Sequence, residues 1–155
     1  MSEEHRRDAK FSHLTGEGAA HMVDVGEKKS QLRIAKAQAV VRCAAATIDA
    51  LRERALPKGD VLTVAQVAGI QSAKQTANLI PMCHPLPLDF VGIDFVIEPE
   101  AIRITAEVRT SARTGVEMEA LTAATIAALT IYDMCKAVDH GMVISEIRLL
   151  EKRKL

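Results

Sequence analysis

Aromatic side chains are nearly missing: 155 residues carry no Trp, one Tyr (Tyr132) and three Phe (Phe11, Phe90, Phe95). Large rings bury the most area per residue, so the core must be built from smaller pieces, and 24 residues are Ala. Small side chains let helices and sheets approach closely, but each buries less apolar surface. A domain of this size is then expected to complete its core across a subunit interface. Net charge is also missing: 20 basic residues balance 20 acidic ones. That argues against a nucleic-acid binder, which carries a basic excess on one face; the short basic stretch from Arg148 to Leu155 reads as solubilising. The three cysteines (Cys43, Cys83, Cys135) form no CxxC, which excludes a disulfide framework and a zinc ribbon. No apolar run approaches the roughly 20 residues that span a bilayer, and the charged start MSEEHRRDAK has no signal-peptide core. The expectation is a cytoplasmic protein with no membrane partner. What remains, 48% hydrophobic and 26% charged residues, is ordinary for a folded domain.

Residues 1–18 are polar and aperiodic, a flexible arm ahead of a single domain over 19–155. His21 to Val25 alternates weakly and reads as a short strand. From Ser30 to about Arg54, Leu32, Ala35, Ala39, Cys43, Ala46 and Ala50 recur every three or four residues, predicting an amphipathic helix capped by Ser30. Asp60 is placed to cap a second helix toward Ala68, Gly69 to break it, and Gln71 to Leu79 to form a third piece. Pro81, Pro85 and Pro87 make a rigid extended connector. Residues 88–97 read as a strand with Phe90, Ile93, Phe95 and Ile97 apolar. After a turn at Glu98 to Glu100, Ile102, Ile104, Ala106 and Val108 alternate with Arg103, Thr105, Glu107 and Arg109, completing an antiparallel hairpin. A long helix from about Val116 to Val138 and a strand from Met142 to Leu150 follow. This order fits an α+β fold, with helices packed on one face of an antiparallel sheet.

The long helix carries the most information. Ala120 to Tyr132 holds no charge, the mark of a buried helix. Immediately after stand Asp133 and Lys136, neighbours at i, i+3. They are either an ordinary ion pair where the helix meets water, or an acid/base pair tuned by partial burial. At the front, Thr114 and Glu117 match a capping box, whereas Glu119 has no such structural use. Glu119 and Asp133 fall within about 40° on the helix wheel yet about 21 Å apart along the axis. One straight helix cannot close both on a small substrate, so they serve either a long ligand or a pocket shared by two subunits. His84, held extended by Pro85, is a candidate general acid or base. Cys83 beside it makes a poor metal pair, because adjacent residues rarely chelate one ion. Arg33, Lys58 and Lys74 stand in the part read as helical, and no phosphate-cradling GxxxxGK[ST] or GxGxxG is present.

Taken together, Ile80-Pro-Met-Cys-His-Pro-Leu86, Thr114-Gly-Val-Glu-Met-Glu119 with Ala120 to Ala124, and Ala128-Leu-Thr-Ile-Tyr-Asp-Met-Cys-Lys-Ala-Val138 resemble the cyclic pyranopterin monophosphate synthases of molybdenum cofactor biosynthesis. Ala20 to Val25, Lys58-Gly-Asp60 and Ala68 to Lys74 are similar to the same family's earlier blocks, so the likeness runs over roughly residues 12–150. It implies a ferredoxin-like α+β fold, built from dimers into a hexamer with the site at a subunit interface. It also implies conversion of the 3′,8-cyclo-7,8-dihydro derivative of GTP to the cyclic pyranopterin monophosphate with loss of pyrophosphate. The resemblance puts the acid/base pair on Asp133 and Lys136, with Lys58 and His84 also catalytic. Met82, Cys83, Glu117, Met118, Glu119, Arg33 and Lys74 join His84 in substrate binding. No metal site or resident cofactor is implied, with Mg2+ an optional companion of the triphosphate. Gln75 and His140 stand where the family pattern has cations, and Met82 where it has Leu. The cations Lys58, Arg33 and Lys74 suit a triphosphate; Glu117 and Glu119 should repel it, which places the purine-derived end beside them. Light scattering at micromolar concentration should return a multiple of the 16.8 kDa chain mass; a monomer would contradict the oligomer.

Overall fold

The alternating stretches behave as their patterns require. In a computed structural model, which describes residues 12–54, 56 and 58–155, β2 (Phe90–Glu98) and β3 (Ala101–Ala112) pair as an antiparallel hairpin. The even residues Ile102, Ile104, Ala106 and Val108 are all 1% exposed or less. Ile93, Phe95 and Ile97 share that covered side. Phe90, expected with them, points the other way and lies under the Arg109 guanidinium, 4.8 Å from ring centroid to Cζ. Its even number, against the odd numbers of the others, decides this.

The stretch from Ser30 departs most from expectation. It forms a strand, β1 (Gln31–Arg42), and only then a short helix, α1 (Ala45–Arg52). The steps Ala35–Ala39–Cys43 are four residues long, a spacing that satisfies a two-residue period as well as a helical one. Pairing decided between them. β1 lies between β3 and β4 (Val143–Lys154) and hydrogen-bonds to both, and Val40 and Val41 favour the pleated form. Ser30 therefore caps nothing, and Arg33 sits on a strand. His21 to Val25 forms no strand either; it runs as irregular chain, following a bridge between Leu14 and Ala20.

The remaining elements are α2 (Val61–Lys74), α3 (Thr76–Leu79) and α4 (Glu117–Cys135). Sheet order is β2-β3-β1-β4 with every neighbouring pair antiparallel. Each of the crossovers β1–α1/α2/α3–β2 and β3–α4–β4 skips one strand, which the other unit fills. That is the ferredoxin-like arrangement. Ala35, Ala37 and Ala39 of β1 and Ala106 of β3 are 0% exposed on the side where α4 lies. Ala120, Ala123, Ala124, Ala127 and Ala128 of α4 are equally buried.

Asp60 caps α2 as its type predicts, its Oδ1 accepting the Thr63 N–H at 3.1 Å. Gly69 does not break the helix: α2 runs through it. A Cβ there would meet the Ala123 carbonyl oxygen and Ile93 Cδ1 at 3.0 Å each, so Gly69 is where α2 touches both α4 and the sheet. In an open helix, Gly→Ala gains about 1 kcal/mol. Here Gly69→Ala should instead destabilise by about 1–3 kcal/mol through overpacking, read as a lower urea midpoint. Gly16→Ala, with nothing within 4 Å, should leave the midpoint in place.

Candidate functional site

Both ends of α4 carry side chains with chemistry, and the two ends differ in character. At its start, Val116 is the N-cap and no side chain caps the helix. The Thr114–Glu117 capping box therefore does not form. Glu117 folds back over Gly115, where a Cβ would collide with its carboxylate, and pairs instead with Lys152 of β4.

Against this end lies the proline connector, pinned to β3 where the Thr110 hydroxyl donates to the Pro87 carbonyl. A cleft of about 310 Å³ opens there, lined by Met82, Cys83, His84, Glu117, Met118 and Glu119, with His13, Val23 and Lys28 on the facing chain. A second cavity of about 270 Å³ on the other side of the connector holds Lys74 and Asn78. His84 and Glu119 line both. His84 Nε2 is 2.8 Å from the Val23 carbonyl oxygen. A carbonyl only accepts, so Nε2 is the donor in this contact. Glu119 is 4% exposed. Burial pushes its carboxyl up to about 6, and the nearby Glu117 charge adds to the shift. The Cys83 thiol is also raised, first by burial and then by Glu119. Among the described residues no three His, Cys, Asp or Glu side chains converge as a metal would require.

At the other end, Asp133 holds two ammonium groups. Lys136 Nζ is 2.7 Å from Oδ1, and Lys58 Nζ is 3.1 Å from Oδ2 and 3.0 Å from the Asp133 carbonyl oxygen. The hydrogen bond from Lys136, followed by that from Lys58, holds the Asp133 carboxyl below its usual range; Asp133 in turn raises Lys136. Burial plays no leading part, since the Asp133 and Lys136 side chains are 55% and 57% exposed. Of the two readings of this pair, the structure shows an ion pair where the helix meets water, shifted by pairing and not by burial.

The expected residues thus fall into two groups. His84, Met82, Cys83, Glu117, Met118, Glu119 and Lys74 gather at the front of α4, and Lys58, Asp133 and Lys136 at its back. Within one chain the helix keeps them about 21 Å apart. Arg33 lines neither cavity; its Nη2 donates to the Arg113 carbonyl at 3.4 Å, and its Nε is buried without a partner among the described residues. Gln75 ends α2, within 3.4 Å of the Asn78 amide, and His140 is exposed. Sequence reasoning missed Lys28 and Lys152. The one signal for Lys152 was its place in a stretch read as solubilising, and Lys28 stands in chain without periodicity.

A carboxyl whose folded value is raised destabilises the fold once it ionises. Stability linked to Glu119 is therefore intact below about 4.5 and lost as pH climbs through about 6. Glu119→Gln should raise the melting temperature at pH 8 by several degrees, on the order of 2 kcal/mol, and leave it unchanged at pH 4. An equal gain at both values would contradict the ionisation argument.

Comparison with known proteins identifies the family. A curated relative from Nitratidesulfovibrio vulgaris (strain Hildenborough), named cyclic pyranopterin monophosphate synthase, is 57% identical over 146 residues, 93% of this chain and 91% of the relative. The MoaC family model matches residues 22–154, which include every site residue named above except His13. The chain belongs to the MoaC family.

Proposed function

We propose that this protein converts the 3′,8-cyclo-7,8-dihydro derivative of GTP to cyclic pyranopterin monophosphate with release of pyrophosphate, a step of molybdenum cofactor biosynthesis. The observation that carries the reading is the carboxylate Asp133 held between Lys58 and Lys136. The name of the 57% identical relative supports it.

Closing the cyclic phosphate forms a P–O bond from a sugar-derived hydroxyl to the α-phosphorus. The bond to the oxygen bridging to the β-phosphate breaks, the hydroxyl proton passes to a base, and pyrophosphate departs. Asp, Lys and His groups suffice for these proton transfers. The ammonium groups of Lys58 and Lys136 offset charge that grows on the phosphoryl oxygens. Mg2+ brought with the triphosphate would share that task. The front cleft, at about 310 Å³, is large enough for part of such a ligand. Its acidic residues disfavour phosphate, so we assign the purine-derived end to Glu117, Glu119 and His84.

Asp133 paired below its usual range is a weak base, and Lys136 raised by the same pairing is a weak acid. Covering both with another subunit would desolvate them and move the two values toward each other. This favours a site shared between copies, the front of one α4 meeting the back of another, within a hexamer built from dimers. Leu129 on α4 and Val143, Ile147 and Leu150 on β4 support it, being 45–54% exposed apolar residues on adjacent elements. We further assign the protein to the cytoplasm, in keeping with its three free cysteines.

The test is turnover of the cyclised dihydro-GTP intermediate, followed as pyrophosphate and pyranopterin. Asp133→Asn and Lys136→Ala should each lose about a hundredfold or more while remaining folded oligomers. Wild-type protein that binds the compound without turnover would be a binding module on the same fold.

A further inference from the structure

Asp139 lies just past α4, is 8% exposed and carries a charge that no expected chemistry uses. All its bonds are internal. Oδ2 accepts the Ala44 N–H at 2.8 Å and the Thr47 hydroxyl at 3.0 Å, and Oδ1 accepts the Gly141 N–H at 3.0 Å. Its own N–H donates to the Cys135 carbonyl at 3.1 Å. Ala44 is the N-cap of α1 and offers no side-chain cap of its own. Asp139 supplies that cap from 95 residues away, and the α1 dipole favours its charge there. The Ala44 N–H, foremost among these donors, holds the carboxyl below its usual range.

What this clamp joins gives it a consequence. α1 leads into the loop that carries Lys58, and the turn bearing Asp139 leaves directly from Lys136. These two lysines converge on Asp133. We infer that Asp139 is a positioning residue, whose carboxylate locks the start of α1 to the end of α4 and thereby sets Lys58 and Lys136 around Asp133. The inference rests on the function proposed above for that cluster.

Kinetics on the full-length oligomer, with the cyclised dihydro-GTP intermediate as substrate, tests it. Asp139→Asn places an amide against donors and should lower kcat about ten- to a hundredfold, since small misplacements at a reacting centre are costly, with KM within about twofold. Thr47→Val should lower kcat severalfold, and Thr47→Ser, which keeps the hydroxyl, should restore it. If Asp139→Asn fails to fold, the Thr47 pair decides alone. A lower melting temperature with kcat per folded enzyme unchanged, or a higher KM with kcat unchanged, would overturn the inference. Carbon NMR titration of the Asp133 carboxyl separates this from failure of the functional reading. Without the clamp its titration should move up toward the free value whether or not the protein turns over this substrate; an unmoved titration would also overturn the inference.

Discussion

The contact on which the rest depends is the approach of α4 to the sheet across alanine. Ala35, Ala37 and Ala39 of β1 and Ala106 of β3 face Ala120, Ala123, Ala124, Ala127 and Ala128 of α4, and all are fully buried. On its other side α4 meets α2 at Gly69, where a methyl group would press on the Ala123 carbonyl and on Ile93. A 19-residue helix held on two sides by small residues cannot accept a polar pocket at its middle. The fold therefore confines reactive side chains to the ends of α4, about 21 Å apart.

The two ends are then prepared in opposite ways. At the front, burial does the work: Glu119 is enclosed, its charge is costly, and it holds a proton to about pH 6. At the back, pairing does it: Asp133 stays ionised because two ammonium groups reach it in water. The helix dipole acts differently at the two ends. In the first turn it favours a charged carboxylate and so works against the burial that protonates Glu119; at the last turn it favours cations. Lys58 uses that second preference directly, since its ammonium also binds the Asp133 carbonyl. On the function proposed above, a proton-holding carboxyl from one copy and a charge-separated pair from another would suit two different parts of one substrate.

Much of this was legible in the sequence. β3 announced itself through strict alternation, and α4 through its uncharged run, because in both cases a single period fits the apolar residues. β1 did not, since alanines four apart satisfy both periods and only pairing with β3 and β4 chose between them. Asp60 was legible as a cap because its partner Thr63 is local. The Thr114–Glu117 box looked equally local but lost to Lys152, a partner 35 residues on and on another element. Asp133 and Lys136 were visible as a pair at helical spacing. Their third member, Lys58, reaches them across 75 residues from a loop without periodicity, and no local rule reports that.

The scarcity of large side chains also bears on how a complete site is assembled. A core of alanine encloses little area, and the apolar residues that could have thickened it, Leu129, Val143, Ile147 and Leu150, lie outside on α4 and β4. β4 is an edge strand whose outer side no described strand covers, so a neighbouring copy would gain both area and pairing by settling there. On the function proposed above, the same association would remove water from Asp133 and Lys136 and bring a second front cleft to them. Stability and catalysis would then draw on one surface, and a chain too lean to fill its own core would be one whose site closes only in company.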